Sequence, residues 1–127
     1  MPENLNRSES QNQPEHLVLK ENIIDGLDEA VERFQEGEIS DLQLFAHAVN
    51  AWKEVNRNEN LKLSLEEEMR KRRMALHQMA PIDISKGDPI KKRYNPNYWI
   101  GSKQMRENPQ DFLLDRIASL KNLFESL

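Results

Sequence analysis

The stretch Lys86-Gly87-Asp88-Pro89-Ile90-Lys91-Lys92-Arg93-Tyr94-Asn95-Pro96-Asn97-Tyr98-Trp99 holds the residues whose types and spacing come nearest to chemistry. Lys91, Lys92 and Arg93 stand side by side, and Tyr94, Tyr98 and Trp99 fall within the six positions that follow. Cations attract phosphate or an acidic protein surface, and aromatic rings offer stacking faces. Aromatics and arginine also dominate protein interfaces. The chemistry is that of recognition, and two arrangements compete. Either Tyr98, Trp99 and Ile100 are displayed to a ligand, or they fold back on a helical core and pin the segment while the cations stay in water.

A second basic block, Arg70-Lys71-Arg72-Arg73, follows Glu66-Glu67-Glu68 after Met69. On a helix, Glu66 with Arg70, Glu67 with Lys71 and Glu68 with Arg72 are i,i+4 pairs in the favourable orientation, each worth ~0.2–0.5 kcal/mol. Acids ahead of bases also suit the helix dipole. The block therefore reads as a solvated helix face, with one exception. Arg73 has Met69 four residues before it and is the cation expected to find a partner outside the chain.

Nothing comparable points to catalysis. There is no cysteine, and His16, His47 and His77 are scattered, without zinc-helix or di-iron spacing. Asp25, Asp28, Glu29, Glu32 and Glu36 share one side of a helix, but no matched carboxylate pair follows on a later one, so they read as a solvated acidic face. Neither a phosphate-binding glycine loop nor a serine elbow occurs. No catalytic residue, metal ligand or cofactor is assigned, and no enzyme activity is expected. Asn95-Pro96-Asn97-Tyr98 matches Asn-Pro-x-Tyr, a turn read by phosphotyrosine-binding domains, but so short a match reads first as a β-turn.

Charge is segregated along the chain. Residues 1–68 carry 16 acidic and 6 basic side chains, residues 69–106 carry 2 and 10, and residues 107–127 carry 4 and 2, so the net −4 conceals a strong asymmetry. Such a pattern fits a charged partner, or one part of the chain folding on another. Apolar residues make up 37 % of the 127 residues, below the ~45–50 % usual in globular chains, which allows one domain with a modest core. No basic-then-apolar leader and no apolar run near ~20 residues occurs, so neither export nor a membrane span is expected and the cytoplasm is the default location.

The elements that must position these groups are helical. Residues 1–14 hold one large apolar side chain beyond Met1 and read as a disordered tail. Residues 15–80 read as three helices. In the first, Leu17, Ile24 and Val31 recur beside Ile23, Leu27 and Phe34, and Gly37 closes the helix. The second is capped by Ser40 and carries Phe45, Ala48, Val49, Trp52 and Val55, with Trp52 expected at the centre of the core. The two should form an antiparallel hairpin. Ser64 and Glu67 form a capping box that opens the third helix, with a stripe of Leu65, Met69, Leu76 and Met79. Residues 81–107 hold three prolines and two glycines and read as a long irregular loop, a length that is functional or disordered in most domains.

The last helix, 108–127, begins with Asn108 as cap and Pro109 at the first turn. Leu113, Ile117, Leu120, Phe124 and Leu127 form a seam, while Leu114 and Leu123 lie off it. A helix apolar on more than one side needs burial on more than one side, so Leu120, Phe124 and Leu127 are expected to contact another chain. The sum is an all-α, four-helix domain: a small non-enzymatic interaction or regulatory protein. It would dock through Arg73, Lys91, Lys92, Arg93, Tyr94, Tyr98, Trp99 and the C-terminal seam onto a protein with an acidic rim or onto a second copy. The alternative is a nucleic-acid-binding accessory protein using residues 70–106.

Overall fold

A computed structural model describes residues 14–127. The expected tail, apart from Pro14, lies outside the described residues. These are helical, without a strand among them: α1 (Glu15–Gln35), α2 (Asp41–Arg57), α3 (Glu59–Met79), α4 (Pro89–Tyr94), α5 (Lys103–Glu107) and α6 (Pro109–Glu125), with 3-10 turns at Ile84–Lys86 and Pro96–Gly101. The fold is all-α, as expected, but has more helices than the four expected, the additional short ones lying in the stretch read as a loop. No helix of the described residues is long and apolar enough to cross a membrane.

Local chemistry explains the boundaries. Gly37, at φ +79°, ends α1 in a left-handed turn: its N–H reaches Phe34 O at 3.0 Å and the Glu38 N–H reaches Arg33 O at 2.8 Å. The chain then turns through Ile39 into α2. There Ser40 Oγ accepts from Gln43 N at 3.2 Å and Ser40 N donates to Gln43 Oε1 at 2.8 Å, closing a capping box. The short link makes α1 and α2 an antiparallel hairpin.

The start of α3 corrects the sequence reading. Asn58, not Ser64, is its cap, with Asn58 Oδ1 accepting from Leu61 N at 3.0 Å. Asn58 is a one-residue joint between α2 and α3. Leu61 lies wholly inside the protein and extends the Leu65, Met69 stripe by one turn toward the N-terminus. The other end of α3 stands out from the core. Met79, expected on the stripe, is 85 % exposed, and Met74 is exposed too.

The α2 stripe is also displaced. Leu44, Ala48, Ala51 and Val55 are buried, while Phe45 and Trp52 only pack on the core's edge and Leu42 faces water. The two alanines let neighbouring helices approach the α2 backbone closely. The buried tryptophan is instead Trp99, at 1 % exposure.

Residues 81–107 are therefore not an irregular loop. Asp88 Oδ1 accepts from Ile90 N at 2.9 Å and starts α4, with Pro89 in its first turn. Asn95 Oδ1 accepts from Asn97 N at 3.0 Å and starts the 3-10 turn. These caps send Ile90, Tyr94, Pro96, Trp99 and Met105 inward. They pack on α6, whose expected cap holds: Asn108 Oδ1 accepts from Asp111 N at 3.4 Å.

The second correction concerns α6. Its apolar faces are covered from within, by α1, α2, α3, α4 and α5. Leu113, Leu120, Leu123 and Phe124 have no exposed surface, and Leu127 packs partly against the same core. Leu120 and Phe124 thus offer no contact area to another chain. The surface that seemed to be lacking comes from the turns of residues 89–107, which no apolar periodicity announces.

Candidate functional site

Trp99 organises a region where exposed cations, aromatic surface and a groove coincide. Its indole Nε1–H donates to Arg93 O at 2.9 Å, fastening the 3-10 turn to the end of α4. Its ring meets Phe112 of α6 edge to face, with centroids 6.3 Å apart and planes at 89°. The Arg116 guanidinium lies over the Phe112 ring, 5.0 Å from its centroid. Beside this stack runs a groove of about 690 Å³ whose walls include Leu76, Ile90, Lys92, Arg93, Tyr98 and Trp99, with Phe112 and Arg116 from α6. Tyr98, half exposed, stands at this groove, and the neighbouring Ile100 is 59 % exposed.

Arg93 of α4 and Arg116 of α6 converge on Asp115. Arg93 Nη2 donates to Ser119 Oγ at 2.8 Å and stands 3.9 Å from Asp115 Oδ2. Arg116 Nη1 is 3.2 Å from the same carboxylate oxygen. Arg116 Nε is shut off from solvent without a hydrogen-bond partner. Burial first, and then the nearby Arg93 charge, push the Arg116 guanidinium below its ordinary pKa, with Asp115 opposing them.

Lys92 is held differently. Its ammonium donates to Lys86 O at 2.9 Å by arching over Gly87, which has φ +95°. A Cβ at that position would come within 2.9 Å of Lys92 Cε. The left-handed backbone favours glycine here, and a Cβ would push the end of the Lys92 side chain aside. Lys91 is exposed beside it.

The remaining expected site residues are structural in their surroundings. Arg73 finds its partner inside the chain: Nε and Nη2 reach Asp88 Oδ2 at 2.8 and 2.6 Å, tying α3 to the start of α4. Asp88 is held below the usual aspartate range; burial pushes it up, but hydrogen bonds from Arg73 and from the Ile90 N–H outweigh burial. Tyr94 is buried, and its hydroxyl accepts from Arg72 Nη1 at 2.9 Å. Arg72 also donates to Glu68 at 3.0 Å, Asn122 at 3.2 Å and Ser126 at 3.0 Å, so one guanidinium joins α3, α4 and the end of α6. Among the described residues no group of three or more histidines, aspartates or glutamates is placed to hold a metal ion.

Of the expected set, the groove gathers Lys92, Arg93, Tyr98 and the edge of Trp99; Lys91 lies outside on the same short helix. Sequence reasoning missed Phe112, Asp115, Arg116 and Ser119. Their spacing on α6 was visible, but the net-acidic tally of residues 107–127 hid Arg116. Compared with known proteins, the chain matches no family model, no curated protein and no solved structure.

Proposed function

We propose that this protein is a non-enzymatic interaction module, an adaptor or assembly factor of the cytoplasm, which docks an acidic polypeptide on the α4, Pro96–Gly101 and α6 surface. One observation carries the reading: Lys92, Arg93 and Arg116 surround an apolar groove that has exposed Tyr98 at its mouth. Exposed aromatic and arginine side chains around an apolar floor are the composition of interface centres. The C-terminal seam has no part in this docking, because its residues are spent on the core.

A nucleic-acid ligand is less favoured. Base stacking needs aromatic faces open to solvent, and of Tyr94, Tyr98 and Trp99 only Tyr98 is exposed. The test is a photo-crosslinking amino acid placed at Tyr98 in the full chain, with the same group at exposed Leu42 as control. The expected result is a protein adduct from position 98 only, resistant to nuclease and lost when Lys91, Lys92 and Arg93 are changed to Gln. A nuclease-sensitive adduct would favour the nucleic-acid reading, and equal adducts from both positions would remove the groove from the account.

A further inference from the structure

The two guanidinium groups of the groove are arranged for one ligand chemistry. Arg116 is held on two sides: the Phe112 face beneath it and Asp115 at one edge. Its Nε–H has neither solvent nor partner. Unsatisfied buried donors are few in native proteins, and each calls for a physical reason. Arg93 is likewise fixed, by Ser119 on one side and Asp115 at longer range. A single carboxylate, itself 62 % exposed and screened by water, thus serves two guanidinium groups, and Lys92 adds a third cation to the same groove. Burial and the neighbouring Arg93 charge both act against the charged form of Arg116. A second anion would offset both by favouring the charged form.

We infer that Arg93 and Arg116 form a clamp for one carboxylate, an Asp or Glu side chain of the bound polypeptide, with an adjacent apolar side chain of that polypeptide seated between Tyr98 and Leu76. This rests on the docking reading above and names its central contact. Arginine suits the role because its planar fork meets a carboxylate with two parallel hydrogen bonds. The forks need little reordering on binding, since Phe112 and Ser119 already fix their planes, and pre-orientation of this kind limits the entropic cost of association. A duplex or single-stranded nucleic acid would need a longer track of phosphate contacts than two forks and one lysine supply.

The experiment uses the full chain, labelled with ¹⁵N, and follows the arginine Nε–H resonances. The probes are capped tetraglutamate, capped tetraglutamine and an oligothymidylate of the same charge as tetraglutamate. Tetraglutamate is expected to shift the Arg93 and Arg116 signals saturably, and tetraglutamine to leave them in place. Arg116→Gln and, separately, Arg93→Gln should each weaken tetraglutamate binding at least tenfold. Arg93 is the more exposed of the two, so its variant keeps the test meaningful if Arg116→Gln unfolds. Lys103→Gln, a charge change outside the groove, should bind as the parent does.

Equal weakening by Lys103→Gln would overturn the clamp in favour of diffuse charge. Parent-like binding by Arg116→Lys would overturn the forked geometry, and tighter binding of the oligothymidylate would overturn the carboxylate assignment. The two readings fail separately. A protein adduct at position 98 with no response to tetraglutamate removes the clamp and leaves docking, whereas a tetraglutamate response without any adduct supports the clamp and removes docking.

Discussion

The α1–α2 hairpin and the segment from Asp88 to Glu107 reach order by opposite means. The hairpin is acidic, long and periodic, and buries repeated apolar positions such as Ile23, Leu27, Leu44 and Val55. Its caps trim the ends of helices that packing already specifies. The segment 88–107 is basic and has no helix longer than six residues. It is built from Asp88, Asn95 and Pro turns, then anchored by one indole. Isolated helices that short are not stable in water, so its order depends on Trp99 and on the Arg72 and Arg73 ties to α3. The lesson is that a proline-rich, charged stretch can be structured when a few specific contacts substitute for a stripe. The same stretch keeps Lys91 and Lys92 exposed.

That contrast can be broken most severely from beneath. Leu120→Asp places a carboxylate in a site without exposure, and an unpaired buried charge is among the costliest substitutions. Cooperative unfolding and most of the helical circular dichroism should be lost. A well-folded Leu120→Asp protein with altered mass by light scattering would instead restore the idea of a C-terminal seam shared with another chain.

The two tryptophans sharpen the comparison next. Trp99→Ala is expected to cost about 3–5 kcal/mol, the range for a large buried aromatic. Trp52→Ala, at the edge of the core, should cost about half as much, in keeping with its smaller buried area. Urea denaturation midpoints measure both. Equal costs would mean that the hairpin relies on its indole as heavily as the basic segment does.

A smaller effect is expected at Arg72. Arg72→Ala removes bonds to Tyr94, Asn122 and Ser126 and leaves the buried Tyr94 hydroxyl without that donor, a loss of about 1–3 kcal/mol. Hydrogen exchange should quicken in α4 and the last turn of α6 while α1 and α2 keep their protection. Uniform acceleration would show that the two regions unfold as one.

The smallest effect is acid-dependent. The folded pKa of Asp88 is depressed, so its contribution is complete above the unfolded aspartate value of about 3.9. It is lost as pH falls from there through the depressed folded value. Asp88→Asn should lower stability slightly at neutral pH and flatten the acid limb of the stability profile in that window. An unchanged limb in urea melts from about pH 2 to pH 6 would show that the Asp88–Arg73 pair does not couple α3 to α4.

Much of the fold was legible from residue order, because it was written in short-range chemistry. Gly37, Ser40 and Asn108 mark helix ends through bonds spanning three to five residues, and Pro109 suits a first turn that needs no N–H from it. The periodic stripes of α1 and α6 likewise follow from 3.6 residues per turn. The α2 stripe and the start of α3 were misplaced for a related reason. Periodicity weights large side chains, whereas the tertiary contact selected Ala48 and Ala51 for close approach, and Leu61 lay beyond a run of polar residues.

The site was legible only in part. Composition marked the stretch containing Lys92, Arg93, Tyr98 and Trp99, but could not choose between display and burial for its aromatics. The structure divides them, with Tyr98 outward and Trp99 inward, because a 3-10 turn spaces its side chains around a tight axis and only one face can meet α6. Sequence alone determined an all-helical chain with segregated charge and well-marked caps. Tertiary structure alone decided that Arg73 is paired within the chain, that the apolar faces of α6 are covered from within, and that Arg116 joins Arg93 at one groove. Those outcomes depend on residues 15 or more positions apart in sequence, a separation at which local propensity carries no information and packing decides.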